Sequence, residues 1–144
     1  MAHGSRLRIG RISSPGQVYS ITTVTKNRAP VFIDFDAART VISVLKEQQE
    51  AGHFDCLCYV LMPDHLHCLI QLGPAGLLSS SIQRVKSLTS KRLGGTVWQR
   101  GFHDRAIRRD EDVQAIARYI IANPLRAGLV ASVKDYPHWD CIWL

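Results

Sequence analysis

A chain of 144 residues that is 46% hydrophobic can bury the core of one domain, residues 1–144, and is short for two. Its 18 Lys and Arg against 12 Asp and Glu leave a formal net charge of +6, which favours a polyanionic partner. No apolar run reaches the ~20 residues of a membrane-spanning helix, so no membrane association is expected. There is no signal-peptide h-region, and Cys56, Cys58, Cys68 and Cys141 show no CxxC pairing, which points to a reduced, cytoplasmic setting. Met1 to Ser5 are set aside as a candidate expression remnant.

In chain order, Gln17 to Thr25 is rich in β-branched residues and predicts a first strand, broken by Asn27-Arg-Ala-Pro30. Asp36 is placed as the N-cap of a helix whose apolar positions Ala38, Val41, Ile42 and Leu45 recur at helical spacing, with Gly52 as its stop. Phe54 to Met62 is apolar on both faces, as a central strand is. A tight turn at Pro63-Asp64 leads into a second strand. There Leu66, Cys68, Ile70 and Leu72 share one face, and His65, His67, Leu69 and Gln71 the other.

Gly73-Pro-Ala-Gly76 is a loop, and Leu78, Ile82, Val85 and Leu88 predict a second helix to about Leu93, ended by Gly94-Gly95. Residues 98–109 read as a loop with one short strand around Asp104 to Ile107. Asp110-Glu-Asp112 opens a third helix with negative charge where the dipole favours it. Val113, Ile116, Ala117, Ile120 and Ile121 form its core stripe, and it should end at Asn123-Pro124. The order β-α-β-β-α-β-α predicts an α+β fold: an antiparallel sheet with helices on one face, in a ferredoxin-like split βαβ arrangement, the other face left for a ligand.

Two features carry chemistry. His65 and His67 project the same way and could grip one ion; spacing alone favours two partly exposed histidines on a polar strand face, with half a metal site as the alternative. On the third helix Tyr119 and Asn123 are i,i+4 neighbours on the flank of the core stripe. That placement suits either a tyrosine anchoring the helix to the sheet, followed by a helix stop, or a hydroxyl and an amide facing something beyond the helix. A phenol attacks a phosphodiester at neutral pH only when the phosphate is already polarised, so a metal-binding histidine pair and a tyrosine are chemically consistent partners.

Three segments, Val60-Leu-Met-Pro-Asp-His-Leu-His67, Val97-Trp-Gln-Arg-Gly-Phe-His-Asp-Arg105 and Tyr119-Ile-Ile-Ala-Asn-Pro-Leu-Arg-Ala-Gly-Leu-Val130, resemble the single-tyrosine HUH transposases, closest to their REP-associated branch. The similarity runs in order from about Gly16 to Trp139. It implies His65 and His67 as metal ligands, Tyr119 as the nucleophile that forms a 5′-phosphotyrosine, and Asn123 as a polar third ligand. It also implies Mg²⁺ or Mn²⁺ as cofactor, single-stranded DNA with imperfect hairpins as partner, and a monomer or homodimer. Two competing readings are a DNA-binding regulatory module with a silent tyrosine, and a phosphodiesterase using metal-bound water.

Arg84, Lys86, Lys91 and Arg92 on the second helix, with Arg105, are candidate DNA contacts, the alternative being a solvated helix face. Trp98 and Phe102 could stack on bases but read more naturally as core. Asp64 reads as a turn residue, and His103 and Asp104 receive no step.

Overall fold

Five strands and two long helices frame a computed structural model that describes residues 16–74 and 76–144; residues 1–5, set aside above, lie outside it. The strands are β1 (Val18–Val24), β2 (Phe54–Met62), β3 (His65–Leu72), β4 (His103–Ala106) and β5 (Trp139–Cys141). They form one sheet in the order β4-β1-β3-β2-β5, with every pairing antiparallel. The first four follow the predicted split βαβ arrangement, and β5 extends the sheet beyond β2.

Helices α1 (Phe35–Glu50) and α2 (Leu78–Leu93) pack together on one face. There Val41, Ile42, Leu45, Ile82 and Val85 bury Tyr19, Ile21, Leu66, Cys68 and Ile70. Asp34 rather than Asp36 caps α1, its carboxylate accepting from the Ala37 N–H at 3.0 Å. Gly94, at φ +85°, closes α2 in the left-handed geometry that glycine adopts without strain.

The expectation of helices on one face holds for α1 and α2 and needs correction for the third. α3 (Val113–Ile121), capped by Asp112, lies on the opposite face. Its Ala117, Ile120 and Ile121 pack against Cys58, Val60, Met62 and Leu69. The physical reason is the two-sided apolar character of β2, which one helical layer cannot cover. After Ala122 the chain makes one more short turn, α4 (Asn123–Arg126), with Pro124 near its start, where a missing N–H costs nothing. No helix among the described residues is long and apolar enough to cross a membrane.

Candidate nucleic-acid processing site

The β2–β3 hairpin sets the site. Its turn is tied down from outside: the Phe32 N–H donates to the Pro63 carbonyl at 3.0 Å, and the Thr25 N–H to the Asp64 carbonyl at 2.9 Å. From that fixed turn β3 carries His65 and His67 on the face opposite α1 and α2, the face on which α3 packs. His65 Nδ1 lies 2.9 Å from Asp64 Oδ1, and Arg28 binds the other oxygen of that carboxylate at 3.2 Å. Burial works to raise the Asp64 carboxyl, but the hydrogen bond and charge of His65, with Arg28, outweigh it and hold it below its ordinary value. Asp64 is thus more than a turn residue: it orients a histidine ring, as carboxylates commonly do behind a metal ligand.

His67 Nε2 lies 3.1 Å from the Ser20 hydroxyl on β1. Burial first, then the neighbouring His65 and the charge of Arg126, push its pKa down to about 4. At neutral pH the ring is therefore the uncharged imidazole that a metal requires. The depression carries a stability cost in acid. The unfolded chain, with an ordinary value near 6.5, takes up this proton before the fold does. Above pH ~6.5 the group adds no pH dependence; from there down to ~4 the fold loses up to roughly 3 kcal/mol. Urea midpoints measured between pH 7.5 and 4.5 should fall more steeply for the wild type than for His67→Gln.

The donors present suit part of a metal site. Among the described residues no three His, Cys, Asp or Glu side chains come together as a metal-binding group. An ion on the histidine pair must therefore complete its shell with amide, water or substrate oxygens, which is how hard divalent cations are commonly held at phosphates. Asn123, half-buried at the first position of α4, makes no side-chain hydrogen bond among the described residues, leaving its amide oxygen unengaged. Tyr119, on the outer flank of α3, is 63% exposed. The Arg126 guanidinium covers its ring at 3.7 Å and donates to its backbone carbonyl at 2.6 Å.

The structure divides the five candidate DNA contacts. Arg84, Lys86, Lys91 and Arg92 sit on α2, across the sheet from the histidines, whereas Arg105 pairs with Ser20 in register and so shares the histidine face. Lys86 departs from the expected solvated helix face: it is buried, and its ammonium donates to the carbonyls of Gln99 and Gly101 at 2.8 and 2.6 Å, so it acts as a strut for the loop after α2. Arg84 is half-buried, Arg92 is paired bidentately with Glu47, and Arg105 with Glu111; Lys91 is exposed. Lys86→Ala should cost about 2–4 kcal/mol in chemical denaturation, because it strands two carbonyls, while Lys91→Ala should stay within about 0.5 kcal/mol.

Trp98 is buried against Phe32 with ring centroids 5.3 Å apart, and Phe102 packs on the same cluster, so both are core. Asp104 is buried in β4; His103 is exposed and shares the register row of Thr22 and His67. Three participants escaped the sequence reading: Ser20, Asp64 as an orienting group, and Arg126. Asp64 was readable from its adjacency to His65. Ser20 needed the β1–β3 register, and Arg126 the path of the chain past Pro124.

The family described as IS200-like transposases matches residues 14–123. A REP-associated tyrosine transposase of Escherichia coli K12 is 33% identical over 125 residues, covering 85% of this chain and 74% of that protein. A Haemophilus influenzae protein carrying the same name provisionally is 27% identical over 139 residues, covering 85% and 78%. Among solved structures, a REP-associated tyrosine transposase bound to a REP hairpin superposes with a TM-score of 0.79 at 24% identity, covering 90% of this chain and 79% of that one, which bears on the fold. The chain therefore belongs to the IS200-like transposase family, within which its relatives are REP-associated tyrosine transposases, and it is a tyrosine-dependent DNA transposase.

Proposed function

We propose that this transposase cleaves and rejoins single-stranded DNA beside imperfect hairpins, with Tyr119 as nucleophile and His65, His67 and Asn123 as ligands of a divalent cation, Mg²⁺ or Mn²⁺. The observation that carries this reading is the packing of α3 on the histidine face of the sheet, with Tyr119 exposed on the flank of that helix. The hairpin held by the structurally similar transposase supports the substrate class. The packing of α3 on its own chain's sheet supports a site built within one chain, alongside the homodimer as the other arrangement.

In the step we assign, the Tyr119 phenolic oxygen attacks the scissile phosphorus in line and gives up its proton. The P–O3′ bond breaks, the 3′-oxygen gains a proton, and the phosphate stays on the 5′ end of the downstream strand as a phosphotyrosine. Attack by a 3′-hydroxyl reverses the exchange with no net loss of phosphodiester bonds. Asp64 and Ser20 hold the two imidazoles in place. A bound cation would draw charge from a non-bridging phosphate oxygen, and imidazole donors favour Mn²⁺ over Mg²⁺.

The test incubates the protein with an end-labelled hairpin oligonucleotide from the repeats of its own genome, with Mn²⁺ or EDTA, on a denaturing gel. A metal-dependent covalent adduct on the downstream fragment is the expected result. Cleavage without an adduct would transfer the reading to a metal-water hydrolase, and binding with neither would transfer it to a regulatory module.

A further inference from the structure

We propose that Arg126 is a further catalytic residue, gripping the scissile phosphate while it holds the Tyr119 ring beside it; the assignment rests on Tyr119 as the nucleophile. Its guanidinium lies 3.7 Å from the centre of the Tyr119 ring and is pinned there by donation to the Tyr119 carbonyl at 2.6 Å. Stacking and pinning together restrict a side chain that is otherwise mostly in solvent. A guanidinium carries five N–H donors, and here one is engaged; Arg126 has no further partner among the described residues.

The contrast with other arginines is informative. Arg28, Arg92, Arg105 and Arg108 each meet a carboxylate; Arg126, like several other arginines, meets none among the described residues, and it alone of these is seated over the Tyr119 ring. The open edge of a planar guanidinium matches two phosphate oxygens, and a fixed cation there stabilises the charge that builds on the phosphoryl group as the P–O3′ bond breaks.

The test compares single-turnover adduct formation with Mn²⁺ on a hairpin oligonucleotide and on the same oligonucleotide carrying a methylphosphonate at the mapped cleavage position, which removes the phosphate charge. Arg126→Ala should slow adduct formation about 100-fold on the phosphodiester. On the methylphosphonate it should match the wild type within about threefold, because the standing anionic charge that the guanidinium would offset is absent. Arg126→Lys should fall between, keeping the charge without the planar fork. Wild-type rates for Arg126→Ala on the phosphodiester, or an equal loss on both backbones, would overturn the assignment and leave Arg126 a packing residue. Absence of any Tyr119-dependent adduct in the wild type would instead overturn the nucleophile, and this assignment with it.

Discussion

Tyr119→Phe is expected to lower cleavage by at least about a thousandfold and to eliminate the covalent adduct, since it deletes the attacking atom and nothing else. The ring is retained, so Arg126 keeps its stacking partner. The residue is 63% exposed, so stability should move by no more than about 0.5 kcal/mol. Hairpin binding, measured by gel shift, should be unchanged. This combination separates the reading from a hydrolase that uses metal-bound water, for which the phenylalanine variant would stay active. It also separates it from a binding module, for which neither protein would cut.

Replacing the histidines should have the next largest effect. His65→Ala and His67→Gln are each expected to reduce Mn²⁺-dependent cleavage about 100-fold or more and to raise the Mn²⁺ concentration needed for half-maximal rate. Glutamine is chosen at position 67 because that ring is half-buried and bonded to Ser20, and alanine would add a void and an unpaired hydroxyl to the loss of the ring. Asp64→Asn should act in the same direction more weakly, by loosening the His65 ring. A titration of Mn²⁺ against single-turnover rate distinguishes the two kinds of loss: a weakened ligand is rescued by excess metal, and a misfolded sheet is not.

Long periodic stretches were legible in the sequence. β2, β3 and α2 occupy the residues that their patterns predict, and the pairing of His65 and His67 on one face followed from strand alternation alone. One local feature shifted by a small margin: Asp34 competes with Asp36 for the start of α1 and wins by reaching the Ala37 amide. β5 escaped notice because three residues carry no period, and its pairing with Cys58, Tyr59 and Val60 is a long-range event.

Other information was present but needed a second layer to read. The apolar character of β2 on both faces already required cover on both, which α3 supplies. Lys86 shares the inner stripe of α2 with Ile82, Val85 and Thr89, so its burial follows from helical spacing, although no sequence pattern names the Gln99 and Gly101 carbonyls that receive it. Within the candidate site, residue type and spacing singled out the histidine pair and the tyrosine, and the family resemblance supplied the roles expected of them. The groups that orient them were not, because Ser20 and Arg126 reach their partners only through register and chain path.

The most direct test of the central claim is mass spectrometry of the trapped protein–DNA complex after exhaustive protease and nuclease digestion. The account predicts one modified peptide, spanning Tyr119, with a nucleotide joined to the phenolic oxygen through its 5′-phosphate. A 3′-phosphate linkage, or a modification on any other residue, would contradict it.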